Sequence, residues 1–198
     1  MSTSLPNEYV AFLVFVFGGL SWTLLEYGIH RYLGHDARWR PNFFSHEHTR
    51  HHSEGNYFSP VWKKLLIALA VLAGLGVSTY VLIDWYGLIY MSGLVCAYLG
   101  YERFHYLHHI SAGSSSYGRR MRRHHFYHHF SNPRMNHGVT TPLWDLVFGT
   151  YASIEHKIKV PRKLSMSWLI NPITNEVYPE YSKWYELKGE ARKSNPVE

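Results

Sequence analysis

The chain has 198 residues, a formal net charge of +6 with histidine neutral, and 15 histidines against one cysteine. That length suffices for one domain with a real core. The lone Cys96 excludes a disulfide framework within the chain and a CxxC zinc knuckle.

In chain order, the opening "MSTSLPNEYV" carries no Lys or Arg, unlike the basic start of a signal peptide. Three uncharged apolar segments follow: Tyr9 to Leu25, Leu65 to Ile83 and Tyr86 to Tyr101. About 20 helical residues cross the apolar layer of a bilayer. The second segment has that length, and the other two reach it by extending into amphipathic sequence. Only the short stretch at "DWYG" separates the second from the third, which predicts a tight helical hairpin.

The charges are distributed as a membrane topology requires. All 20 Lys and Arg fall between Arg31 and Lys64 or from Arg103 onward, whereas the N-terminus holds only Glu8 and the hairpin tip only Asp84. Three crossings put both basic regions on one side, which the positive-inside rule makes cytoplasmic. The basic excess is then explained by topology, and nucleic-acid binding is not expected. The expected fold is all-α: an integral membrane helical bundle of about three spans with a cytoplasmic His-rich helical cap. Residues 1–156 form the membrane-embedded domain. Residues 157–198, with "PRK" and "KWYELKGEARK", read as a basic, aromatic cytoplasmic tail, either on the membrane surface or loosely ordered. The end, "RKSNPVE", matches neither an ER-retrieval tetrapeptide nor a prenylation box.

The histidines lie on the basic side or at its border. Eleven of them fall into four groups: His30 and His35; His48, His51 and His52; His105, His108 and His109; His125, His128 and His129. Three groups share the spacing i, i+3, i+4, which is one face of an α-helix. Imidazoles one turn apart can converge on a metal. The first pair, at i and i+5, diverges on a straight helix, so Gly34 is expected to end that helix and let His35 turn inward. Ten histidines from four segments suit two metals with about four or five nitrogen ligands each. Imidazole accepts iron, zinc and copper. Glu26, Glu47, Glu102 and Asp145 are candidates to balance the cationic centre or to orient the rings. Trp22, Tyr27, Tyr101 and Tyr106 stand at the border of the apolar segments, where aromatic belts are usual at membrane interfaces and where they could line an entry from the membrane. Trp144 and Asp145, in "PLWDLVFGTY", are expected to dock the closing segment.

In combination, "EYGIHRYLGH", "HEHTRHH", "YERFHYLHH", "RRHHFYHHF" and the closing "NHGVTTPLWDLVFGTY" resemble the fatty acid hydroxylase and sterol desaturase superfamily, most closely its fatty acid 2-hydroxylase branch. The resemblance covers roughly Gly19 to Tyr151. It implies a membrane non-haem dinuclear metal oxygenase that hydroxylates a lipid acyl chain, at the 2-position of a fatty acid or sphingolipid. The implied metal ligands are His30, His35, His48, His51, His52, His105, His109, His125, His128 and His129. The implied cofactors are dinuclear iron, with zinc in isolated forms, and O₂. No GxGxxG is present to hold a nicotinamide or flavin, so electrons are expected from a separate donor such as cytochrome b5 or a ferredoxin. The basic face suits such a partner or anionic lipid headgroups. His108 and His124 are additions to the pattern. His108 or a neighbour is a possible ligand, His124 is expected away from the metals, and His137 reads either as a donor behind the metal ligands or, the favoured reading, as a surface residue. A sterol or fatty acyl desaturase and a carotenoid hydroxylase share this metal core. A non-catalytic membrane metal-binding protein is the reading from another class. Bacterial inner membrane and endoplasmic reticulum both accommodate the chain.

Overall fold

The structure, a computed structural model, describes residues 7–189; most of the N-terminal stretch read above and the end of the tail, 190–198, lie outside the described residues. Helix α1 (Glu8–Gly28) starts at Asn7, whose side chain accepts from the amides of Tyr9 and Val10. It runs without a break into a π-helical segment, Ile29–His35. After a single 3₁₀ turn comes α2 (Phe43–Glu54), opened by a reciprocal capping box between Asn42 and Ser45. Helices α3 (Val61–Val71) and α4 (Val77–Ile83) form one rod joined by a π turn, Leu72–Gly76. Asp84 alone then separates α4 from α5 (Trp85–Ile110), giving the expected hairpin. Two further helices follow, α6 (Ser116–Phe130) and α7 (Leu143–Val147).

Two rods are long and apolar enough to cross a membrane: Glu8–His35 and Val61–Ile83. Only 6% of the apolar window in each is buried within the protein. A soluble core helix would bury that surface, since apolar area in water costs about 25 cal/mol per Å². Here side chains such as Phe12, Leu13, Phe17, Leu69, Val81 and Leu82 point outward. The third expected crossing is the first half of α5, and its second half carries His105 and His109.

Helix α5 packs along the length of α1. The contact is a close approach of two backbones: a Cβ on Gly18 would collide with the carbonyl oxygen of Tyr90, and one on Gly93 with that of Phe15. Small residues at such a crossing let two membrane helices gain dispersion contact where lipid leaves no hydrophobic drive between them.

The tail departs from expectation. Residues 158–188 are folded, with a two-stranded parallel sheet of β1 (Ile158–Pro161) and β2 (Tyr185–Lys188), Ile158 in register with Tyr185. Ile158, Val160, Met166, Leu169 and Tyr185 enclose Phe126 of α6. The apolar positions that drive this are spaced irregularly among basic ones, so composition alone reads as a loose surface segment. The fold is therefore mostly helical with a small sheet.

The α1–α5 crossing sets the first test. Gly93→Leu should lower the unfolding free energy by about 1–3 kcal/mol or more, as an overpacked interface does. Gly28→Ala, where nothing lies within 4 Å of an added Cβ, should be neutral or stabilising by up to about 1 kcal/mol. Thermal melting of both variants in detergent micelles checks this, and equal melting temperatures would contradict the close crossing.

Candidate metal centre

Four helical segments bring ten histidines to one place. Their ligand-capable nitrogens fall into two sets, each with all atoms within 4.8 Å of one another. The first set is His30, His35, His48, His52 and His128; the second is His51, His105, His109, His125 and His129. These are the ten residues implied by the motif resemblance.

Helical spacing explains how the rings are shared. On α2 the i, i+4 pair His48 and His52 enters the first set, while His51 faces the second. On α6 the i, i+4 pair His125 and His129 enters the second set, while His128 faces the first. Helix α5 gives the i, i+4 pair His105 and His109. Each set thus takes two pairs and one single ring.

The pair at i, i+5 is accommodated differently from the sequence expectation. The helix does not end at Gly34. It widens into π turns, whose i→i+5 repeat stacks residues five apart on one face, and the rings of His30 and His35 lie 5.3 Å apart. Gly34 serves another purpose: a Cβ there would lie 3.0 Å from His48 Cδ2 and 3.3 Å from Phe44. Its hydrogen lets α2 close on the π segment. The Asn42 side chain fastens the same junction by donating to the carbonyls of Leu33 and Trp39, each at 2.8 Å.

Within the first set, His48 Nε2 approaches the Nε2 atoms of His35, His52 and His30 at 2.7, 3.0 and 3.1 Å. His35 Nε2 lies 2.9 Å from His128 Nε2. In the second, His105 Nε2 is 3.0 Å from His51 and 3.1 Å from His125, which is 3.0 Å from His109. One ring proton serves only one such contact, and the rest oppose lone pairs. A central cation removes the conflict. With metal–nitrogen bonds of about 2.1 Å, neighbouring ligands at right angles sit about 3 Å apart and opposite ones about 4.2 Å. The donor set therefore fits a metal ion in each group. Both ring nitrogens of His129 are buried without a hydrogen-bond partner among the described residues, and a cation in the second set would satisfy one of them.

Protonation is prepared for the same role. Burial, reinforced by neighbouring imidazoles, keeps His48, His52, His105, His109, His125, His128 and His129 well below the usual histidine range, and burial lowers His51 to about 4. Neutral rings present lone pairs. Backbone carbonyls choose which nitrogen does so: His30 Nδ1 donates to His137, His51 Nδ1 to Tyr57 at 2.7 Å, and His128 Nδ1 to Met135 at 2.8 Å. The proton on Nδ1 leaves Nε2 free for metal.

None of the four candidate carboxylates touches a ring of either set. Glu26, Asp145 and Glu47 act one step further out, on the segments that supply the His137 and Tyr57 carbonyls, whereas Glu102 pairs with Lys64 of α3. Glu26 accepts from the amides of Val139 and Thr140 at 2.6 and 3.0 Å and from the Thr140 hydroxyl. Asp145 accepts from His124 Nε2 at 2.9 Å, the amides of His137 and Gly138 at 2.8 Å, and Thr150 Oγ1 at 2.7 Å. Burial alone would raise the Asp145 carboxyl, but the bonds from His124, Thr150 and Gly138 hold it below the usual range. Glu47 accepts from Tyr57 and Lys63, both at 2.6 Å, and Glu102 from Lys64. Trp144 docks the closing segment by donating to Thr23 Oγ1 at 2.9 Å.

The three additional histidines lie outside both sets. His108 is buried against Phe104 with Nε2 3.4 Å from the Val139 carbonyl. His124 is the partner of Asp145. His137 is not a surface residue: it is 2% exposed, its ring packs 5.2 Å from His128, and its Nε2 donates to the Arg134 carbonyl. Among the aromatic candidates, Tyr27 is buried and bonds Thr150, Trp22 packs on Tyr98 and Tyr101, Tyr101 stacks on His105, and Tyr106 is exposed.

Comparison with known proteins is consistent across sequence and fold. A family model described as fatty acid hydroxylase matches residues 15–150. The "Ceramide very long chain fatty acid hydroxylase SCS7" of Saccharomyces cerevisiae is 30% identical over 153 residues, covering 73% of this chain and 39% of the relative. The "Fatty acid 2-hydroxylase" of Mus musculus is 34% identical over 168 residues, covering 74% of this chain and 43% of the relative. The matched region is thus under half the length of either relative. A solved structure titled "Full length scs7p (only hydroxylase domain visible)" superposes with a TM-score of 0.60 at 26% identity, covering 77% of this chain and 60% of that one.

Asp145 offers a direct test of how the site is held. Asp145→Asn turns an NH₂ toward two of the four donors, since each carboxylate oxygen accepts from two, and should destabilise the protein by about 3 kcal/mol or more. It should also weaken Zn²⁺ binding by about tenfold, as the loss of a supporting bond does. Glu54→Gln, at an exposed ion pair with Arg50, should change neither. Thermal melting and chelator competition measure both effects, and a wild-type Zn²⁺ affinity in Asp145→Asn would refute the link.

Proposed function

The chain belongs to the fatty acid hydroxylase family, and from that premise we propose that it is an integral membrane enzyme that hydroxylates a lipid acyl chain. The observation that carries the reading is the pair of five-histidine sets inside the family match. The names of the relatives favour the carbon next to the acyl carbonyl, on a fatty acid or a sphingolipid. The reaction then consumes the lipid, O₂, two electrons and two protons, and yields the 2-hydroxy lipid and water.

The ten histidines would hold two iron ions, which when bound supply O₂ activation and the oxidising power for an unactivated C–H bond. The protein supplies position. Buried, neutral rings keep their lone pairs directed inward. The carbonyls of His137, Tyr57 and Met135 hold the Nδ1 protons and so keep three rings from rotating. Asp145 and Glu26 hold the 137–140 segment that carries one of those carbonyls. In this reading α1, the α3–α4 rod and the first half of α5 cross the bilayer, and the histidines and C-terminus face the cytoplasm, where Lys and Arg concentrate. A lipid headgroup would stay at the interface with its acyl chain among the helices. Electrons would come from a separate donor protein attracted by the basic face.

Mass spectrometry of hydrolysed lipids from cells expressing the chain or its His128→Ala variant tests the proposal. Fatty acids one oxygen heavier that fragment as 2-hydroxy acids should appear with the wild type. They should vanish with His128→Ala, together with metal from the purified protein, while membrane insertion persists. Products two hydrogens lighter would instead indicate a desaturase, and full metal content in the variant would count against the ligand assignment.

A further inference from the structure

The C-terminal end of α5 lies one residue beyond His109, and its carbonyls have unusual partners. The last carbonyls of a helix lack intrahelical donors and carry the negative end of its dipole. Here His109 O accepts from the indole Nε1 of Trp168 at 2.9 Å, and His108 O from Arg122 Nε at 3.0 Å. Arg122 also donates through Nη1 to Ala112 O. The residue is 3% exposed, has no carboxylate partner among the described residues, and lies with Cζ 5.0 Å from the centre of the Trp168 ring. A buried guanidinium without an anion is costly unless its donors are met by carbonyls and its face by an aromatic ring, and that is the arrangement present. The indole is itself fixed: it stacks on Phe126 at 6.1 Å and packs edge-on against Tyr181 and Tyr185.

The two halves of this clamp come from different places. Arg122 sits on α6, one turn before His125. Trp168 comes from the folded segment 158–188, which the family match at 15–150 does not include. Both grip the end of the helix that provides His105 and His109 to the second set, and neither touches a residue of the first set. The second set needs such support. In this set His51 Nδ1 has a carbonyl within hydrogen-bond distance and the Gly55 carbonyl lies near the His109 ring, while the Nδ1 atoms of His125 and His129 are buried without partners among the described residues.

We propose that Trp168, with Arg122, is a positioning residue for the second metal site, and that the segment 158–188 is the element that fastens that site. This rests on the dinuclear reading above. Trp168 does not bind metal. Its N–H fixes the carbonyl of His109, and with it the rotation of the last turn of α5 that aims the His105 and His109 rings.

Zn²⁺ titration of the purified full chain in detergent tests this against chelator competition. The wild type should take up two ions. Trp168→Phe keeps a stacking ring and removes only the donor, and it should weaken one ion by about tenfold or more, the range for loss of a supporting bond. Trp184→Phe, in the same segment with its ring near Arg123, should keep both. Two backgrounds identify the affected ion. With His48→Ala, which leaves only the second set intact, adding Trp168→Phe should weaken the remaining ion. With His105→Ala, which leaves the first, it should not. Two ions at unchanged affinity in Trp168→Phe would overturn the proposal. Equal weakening in both backgrounds, or unfolding of Trp168→Phe while Trp184→Phe remains folded, would also overturn it, because the bond would then support the whole protein. A wild type that binds no Zn²⁺ would refute the metal centre itself rather than the role of Trp168.

Discussion

Ten imidazoles crowded into one buried space repel one another unless something positive stands between them. Their Nε2 atoms approach to about a hydrogen-bond length, yet most of those contacts have no proton to share. Burial makes it costly to protonate the rings and so removes the simplest escape. Cations at the two centres turn this conflict into cohesion, and the rest of the protein can be understood as the frame that keeps the conflict in place. The capping box of α2, the glycine at its contact with the π segment, and the closing segment pinned by Glu26 and Asp145 all hold rings where they would not stay unaided.

In the proposed topology the frame and the membrane anchor are the same helices. Histidines sit at the ends of α1 and α5, and the apolar parts of those helices pack through glycines at residues 18 and 93. Packing inside the apolar layer therefore sets the spacing of ligands at its border. This union explains a chemical centre at a lipid surface: the polar, histidine-rich ends stay on one side, and the apolar lengths stand beside the acyl chains on which the family acts.

Much of this was legible in the sequence because two periodicities are strong. Uncharged stretches near bilayer length announced the rods, and the i, i+3, i+4 histidines announced faces that could meet. What was hidden depended on partners with no signature of their own. A backbone carbonyl is the same at every residue, so nothing in "NHGVTT" reveals that His137 O receives His30. The four carboxylates look like partners for the rings, yet Glu26, Asp145 and Glu47 bind the loops behind them and Glu102 pairs with a lysine of α3. His137 looked like a surface residue because loops usually are, but Asp145 draws its amide inward. The basic charge of the last forty or so residues hid the apolar set that folds around Phe126. The π turns were missed because spacing was judged against a straight α-helix.

Those π turns have one more consequence. An α-helix that widens to accommodate His30 and His35 has in effect taken in one residue beyond an ordinary i, i+4 pair, such as His105 and His109. Each residue turns an α-helix by about 100°, so everything upstream is rotated about its axis by that amount relative to an uninterrupted helix. Gly18, three turns earlier, meets α5 on the face this rotation selects. A single extra residue thus acts as a phase shift between the apolar length of α1 and the π segment that carries imidazole. Restoring the plain helical register would turn either the glycine from its crossing or the ring from its centre.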